Sequence, residues 1–189
     1  MRLLCLDLSS SHGSVALRLG DNWEELTLGT AHSHSEKVID AIIELLRRHQ
    51  VTLLALDGWV TTTGPGSFTG LRIAMATLKA FSLACPKPIH VLSGSEARAL
   101  QWRSENPKRN IKEIKVLTTA SAGKHTEEIF SFSTEGETIE INEKDFPLKA
   151  NYLGKHFGAA KTKKSFHSVA QWIALTPQYF GDTRFIMSD

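Results

Sequence analysis

The sequence predicts an α/β fold in two lobes, a mixed sheet with helices packed on it and an abbreviated second lobe. Three observations carry this. The first hundred residues order as β-β-β-α-β-α-β-α. The opening strand is apolar nearly throughout, as a strand buried on both faces must be. A glycine-rich turn then joins a short strand to an unusually apolar helix.

Residues 3–8, Leu-Leu-Cys-Leu-Asp-Leu, read as the first strand with Asp7 near its end. A turn at Ser9–Gly13 returns the chain into 14–19, and Gly20-Asp21-Asn22 turns it again into Trp23–Leu28. The first helix is expected over 35–49. At ~100° per residue, Val38, Ile39, Ala41, Ile42, Ile43, Leu45 and Leu46 fill an arc of about 200°. A helix lying on one sheet needs an apolar stripe little wider than ~100°. The surplus implies either burial between two internal layers or contact with another protein.

Trp59–Thr62 is a short strand, followed by Gly64-Pro65-Gly66-Ser67-Phe68-Thr69-Gly70. The second helix is expected over 71–84. Its only charges are Arg72 and Lys79, and Ala74, Ala76, Ala80 and Ala84 keep it narrow, so it too must be covered widely. Pro86 and Pro88 end it. Residues 89–91 form a strand, and Ser93 caps a third helix with Glu96 three residues on.

This order matches the ribonuclease-H-like arrangement of the actin, sugar-kinase and Hsp70 ATPase superfamily, a fold-level analogy that does not fix function. A polar linker over 104–110 divides an N-terminal lobe, 1–103, from a smaller C-terminal lobe, 111–189. In the second lobe, 114–118, 128–132 and 138–141 read as strands. From Phe146 to Phe180 lie Lys149, Lys155, Lys161, Lys163 and Lys164 with no acidic residue. That run is either a solvated face or an RNA-facing patch over 149–164.

Composition narrows the function. With 189 residues, a net charge of +2, 41% hydrophobic and 22% charged residues, the chain can bury a core without staples and has no strong field for nucleic acid. Cys5 and Cys85 are too far apart in sequence to form a zinc knuckle and sit in apolar settings, as in a reducing compartment. Asp7 stops the opening apolar run after four residues, too soon for a signal peptide. No stretch approaches the ~20 apolar residues of a membrane span, so a cytoplasmic location is expected.

The candidate chemistry is sparse. Gly64, Gly66, Ser67, Thr69 and Gly70 form either a structural turn or an anion-binding loop at a helix start, without the lysine of a P-loop. Asp7 suits a metal-coordinating carboxylate, with Asp57 as the nearest second one. His12, His32 and His34 lack metal-ligand spacing, and Ser67 lacks the nucleophile-elbow pattern. Glu127 and Glu128 would point to opposite faces of a strand. A small ATP-dependent kinase or ATPase using Asp7 and the Gly64–Gly70 loop is the rival reading, and a glycoprotease a third.

Residues 64–74, Gly-Pro-Gly-Ser-Phe-Thr-Gly-Leu-Arg-Ile-Ala, closely resemble the signature of the TsaB (YeaZ) family. Leu6-Asp7-Leu8-Ser9-Ser10 with Ser14-Val15-Ala16-Leu17 resembles that family's opening hairpin, and His34-Ser35-Glu36 its first helix. Residues 1–103 carry the resemblance. After the linker, residues 119–125 lack the family's Asp and Arg, and Pro177-Gln178-Tyr179-Phe180 is similar to its Pro-x-Tyr ending. The resemblance implies a non-catalytic subunit, with no cofactor or metal, of the machinery that makes threonylcarbamoyladenosine at tRNA position 37. The implied partners are the catalytic subunit TsaD, the ATPase TsaE and, indirectly, tRNA. A homodimer would use the same helices, 35–49 and 71–84. The residues expected at that interface are Val38, Ile42, Leu45 and Leu46 on the first and Arg72, Met75, Ala76, Lys79 and Ala80 on the second.

Overall fold

A computed structural model describes residues 1–29, 34–119, 125–156, 158–161 and 163–166. The expectations placed on His32, on 120–124 and on the Pro177–Phe180 ending lie outside the described residues.

Strands β1 (Arg2–Asp7), β2 (Gly13–Leu19) and β3 (Asn22–Gly29) form an antiparallel meander. Helix α1 (His34–Arg48) crosses to β4 (Gly58–Thr62), which pairs parallel with β1. Helix α2 (Phe68–Ala84) crosses to β5 (Ile89–Leu92), parallel to β4. Helix α3 (Gly94–Glu105) follows. These elements agree with the order read from the sequence, and the mixed sheet runs β3-β2-β1-β4-β5 with one more strand at its edge.

The strand period of two divides the core. Leu4, Leu6, Leu8, Val15, Leu17 and Trp59 face α1 and α2. Leu3, Cys5, Ala16, Val60 and Leu92 face the other way. This is why β1 reads as continuously apolar: both of its faces are covered.

Beyond the linker, β6 (Ile111–Thr119) pairs antiparallel with β7 (His125–Ser131) and parallel with β8 (Glu137–Asn142) in a separate sheet. Ile111, Ile114, Val116 and Thr118 are its buried side chains. The break in strict alternation coincides with a register shift between Ile111 and Glu113. Ile114, Val116 and Ile141 pack with Ala99 of α3, and Trp102 and Phe146 close the cluster. Along β7 partly buried and exposed residues alternate, which sends Glu127 and Glu128 to opposite faces as expected.

The chain then returns to the first sheet. Helix α4 (Ala150–His156) lies on β1 and β2, and β9 (Lys164–Phe166) pairs antiparallel with β5. Leu148, Ala150, Leu153 and Ala160 join the cluster of Leu3, Cys5 and Val60. The division at 111 therefore needs correction, because the described residues after 147 pack with the first lobe. The physical reason is area: α3 alone leaves part of this sheet face bare, and α4 covers the rest.

Polar residues on buried α3 anchor the returning segment. Glu96 accepts from Lys161 N at 2.7 Å, Arg98 Nε donates to Phe146 O at 3.0 Å, and Gln101 Oε1 accepts from Lys149 N at 3.0 Å. Ser14 Oγ accepts from Ala150 N at 2.9 Å at the start of α4. Each bond occupies a backbone group that would otherwise be buried alone. Burial pushes the Arg98 guanidinium below its ordinary pKa, against the opposing pull of the Asp7 and Glu143 charges.

Candidate partner-binding face

Helices α1 and α2 lie on one face of the six-stranded sheet and touch each other. Residues three and four apart share a helix face, so each helix carries an inner and an outer stripe. The inner stripe of α1 is Val38, Ile42, Leu45 and Leu46, none more than 9% exposed. That of α2 is Leu71, Ala74, Met75 and Leu78. Burying each leucine-sized side chain stabilises by roughly 1.5–3 kcal/mol.

This placement corrects the expected interface. Val38, Ile42, Leu45, Leu46 and Met75 are already covered by the chain's own core. Of the other expected residues, Arg72, Ala76 and Ala80 are exposed and Lys79 is partly buried. The apolar residues left in water are different ones: Ile39 at 41%, Ile43 at 57%, Phe68 at 39% and Leu83 at 64%. Ile39 and Ile43 lie at one rim of the wide arc of α1, whereas the core takes the middle of the arc. Phe68, Arg72, Ala76, Ala80 and Leu83 run along α2 in steps of three and four. The Arg72 guanidinium lies over the Phe68 ring at 5.3 Å, a cation–π contact on the outer surface.

Charge pairs at the end of α1 fix its setting on β3. Glu24 meets Arg48 at 2.7 Å and His49 Nε2 at 2.6 Å, and Glu44 meets Arg48 at 2.8 Å and Arg47 at 3.0 Å. The Arg47 and Arg48 hydrogen bonds hold the Glu44 carboxyl down at about 2.

The glycine loop seats the start of α2 against the end of β1. Ser67 Oγ accepts from Gly70 N at 3.2 Å and caps a helix that begins at Phe68, three residues before the expected start. Ser67 N donates to Ser9 O at 2.5 Å, and Gly64 N to Thr62 Oγ1 at 3.0 Å. A Cβ on Gly66 or Gly70 would run into the Ser9 or Leu8 backbone, and Gly66 also holds a φ of +154°. Three of the N–H groups that an anion would need are thus engaged by protein acceptors, which favours the structural reading of Gly64, Gly66, Ser67, Thr69 and Gly70.

Asp7 is fully buried, and its Oδ1 accepts from Ser9 Oγ at 2.7 Å. Asp57 Oδ2 accepts from Arg2 N at 2.7 Å, at the opposite end of the parallel pair. Five residues along a strand separate the two by about 16 Å, so they cannot share a cation. Among the described residues no group of three His, Cys, Asp or Glu side chains could hold a metal ion.

A family model described as TsaD, tRNA N6-adenosine threonylcarbamoyltransferase, matches residues 29–175. The chain belongs to that family. TsaB proteins are among the curated relatives it matches. It is 30% identical to the tRNA threonylcarbamoyladenosine biosynthesis protein TsaB of Buchnera aphidicola subsp. Schizaphis graminum, over 64% of this chain and 56% of the relative. A match to TsaB of Buchnera aphidicola subsp. Baizongia pistaciae, also 30% identical, covers 61% and 52%. A match to the tRNA N6-adenosine threonylcarbamoyltransferase of Rhizobium johnstonii is 32% identical but covers only 24% of that longer enzyme. The chain spans about half the length of the TsaB relatives it matches. In structure it is similar to YeaZ from Pseudomonas aeruginosa, with a TM-score of 0.63 and 23% identity over 70% of this chain and 61% of that one. That likeness shows a YeaZ-type α/β fold. No helix among the described residues is long and apolar enough to cross a membrane.

Sequence reasoning missed Ile39, Ile43, Phe68 and Leu83 as the outward residues. The wheel did hold a signal, since a helix on a single sheet spends the centre of a wide apolar arc on its core and leaves the rims to solvent.

Proposed function

We propose that this TsaB-type chain is a non-catalytic scaffold and activator in making threonylcarbamoyladenosine in tRNA, working in the cytoplasm. It pairs with a TsaD-like transferase through the outer stripes of α1 and α2, and a TsaE-like ATPase joins the pair. The tRNA is reached through the transferase. A second copy of the chain competes for the same face when the transferase is absent.

The observation that carries this reading is the run of exposed apolar side chains, Ile39 and Ile43 on α1 with Phe68 and Leu83 on α2, around the small residues Ala76 and Ala80. Small residues let a facing helix come close, and large apolar side chains left in water on two neighbouring helices support an interaction surface. Membership in the family supplies the partner class. The separation of Asp7 from Asp57 supports the non-catalytic part.

The test is co-expression with the TsaD-like protein of the same genome, followed by size-exclusion chromatography and a tRNA modification assay. The wild-type chain is expected to co-elute and to raise modification. Ala76→Asp and Ile43→Asp are expected to abolish both while keeping the fold. Co-elution of the Ala76→Asp chain at wild-type strength would rule out this face.

A further inference from the structure

A cavity of about 650 Å³ opens at the seam between the sheets. The last turn of α3, the turn into β6, the end of β7 and the end of α4 enclose it. It lies apart from the α1/α2 face and from the glycine loop, and nothing derived above uses it. Its size is that of a small-molecule site and well above that of a bare anion.

We propose that this cavity binds a phosphate ester, its anion held by Arg103 and its organic part resting against Leu100 and Ile111 of the lining. The charged lining is of one sign: Arg103 and Arg109 belong to it and no carboxylate does. The neighbouring carboxylates are already engaged, Glu105 by Lys149 at 3.0 Å and Glu137 by Arg109. Among the described residues no carboxylate pairs with Arg103. Its guanidinium instead lies over the Phe132 ring at 4.8 Å, a cation–π contact at the cavity rim. Arg109 lies over Trp102 at 5.4 Å but is paired with Glu137, so Arg103 is the cation left for a ligand. A guanidinium that no described carboxylate engages keeps its N–H fork for two-point contact with a phosphate.

The rest of the lining agrees. His156 Nε2 is buried at the cavity wall without a hydrogen-bond partner, and its ring stacks on Tyr152 at 5.3 Å. A buried ring nitrogen left alone is the signature of a group awaiting a ligand or a water. The α3 end, whose bare carbonyls would repel an anion, is closed by Asn106. Its N–H donates to Trp102 O and Arg103 O, and its side-chain amide to Trp102 O at 2.9 Å.

A free mononucleotide and the phosphodiester of an RNA strand present the same chemistry here, and separate titrations distinguish them. The test follows the Arg103 Nε–H and His156 ring signals by NMR in the full chain during titration with inorganic phosphate, AMP or a short single-stranded RNA. AMP or the RNA is expected to shift both signals saturably. Arg103→Gln is expected to weaken binding about tenfold at an unchanged thermal midpoint, with Lys144→Gln as the unaffected control. Tighter binding of the RNA assigns the phosphodiester, and tighter binding of AMP the mononucleotide. No saturable shift with any of the three, or equal affinity in Arg103→Gln, would overturn the proposal.

Discussion

Gly154 of α4 stands so close to Cys5 of β1 that a Cβ on the glycine would come within 2.8 Å of the sulfur, and within 2.6 Å of the Trp23 ring. The helix that completes the first lobe thus docks through a position where only hydrogen fits. Gly154→Ala is expected to destabilise the chain by about 1–3 kcal/mol, since overpacking at a tight helix–strand contact forces both apart. Urea unfolding monitored by circular dichroism checks it. In the wild-type chain burial pushes the Cys5 thiol far up from its ordinary value. Ellman's reagent should reach that thiol only on unfolding.

The two stripes of α1 should separate stability from association. Leu45→Ala, in the core, is expected to cost 2–5 kcal/mol, of order ~3, through the cavity it leaves. Ile43→Asp, on the outer stripe, is expected to change stability by less than about 0.5 kcal/mol. Urea midpoints of the isolated chain measure both. Equal losses would place Ile43 in the core.

Anchoring of residues 146–161 by α3 can be read by hydrogen exchange. Gln101→Ala strips the acceptor from Lys149 N and the donor from Pro147 O. The expected cost is about 1–3 kcal/mol for buried backbone groups left unsatisfied. Protection should fall first at Lys149 through Tyr152, with β1 and β2 still protected. A uniform loss across the chain would contradict local anchoring.

His156 gives stability a pH dependence of definite sign. Burial, with Lys155 adding repulsion, lowers its pKa from 6.5 to about 4. Between those values the unfolded chain binds more protons than the folded one, so stability is complete above about 6.5 and declines as pH falls toward 4. The slope from this group is at most about 1.4 kcal/mol per pH unit, and partial exposure reduces it. Urea unfolding at pH 7, 6 and 5 should show that slope in the wild type and lose it in His156→Asn.

The sequence made β1 through α3 legible because each element there repeats its own period long enough to be read. Leu4, Leu6 and Leu8 alternate with Leu3 and Cys5, and Ser67 and Ser93 mark both helix starts. The returning segment was not legible. Helix α4 has seven residues with Gly154 among them, and β9 has three, beginning at Lys164. Neither spans two periods, so only tertiary packing defines them. The lysine run that includes Lys149 and Lys155 read as a solvated or RNA-facing stretch, while the buried side of the same stretch, Leu148, Ala150 and Leu153, closes a core. On the partner face, the pattern revealed that α1 and α2 carry surplus apolar surface. It did not say which rim the surplus occupies, because a helical wheel shows angles and not which angle the sheet takes.

Pairing of β9 with β5 has a consequence for synthesis. The two strands sit 75 residues apart at the His90–Ser165 bond, yet they are neighbours in the sheet. While the chain emerges from the ribosome, the sheet from β3 to β5 can assemble early, but the outer edge of Ile89–Leu92 stays open until residue 166 is out. An open, apolar strand edge is a template for pairing with other nascent chains. The strand that ends the described fold therefore also caps that edge, and a nascent chain halted before Lys164 would carry an uncapped one.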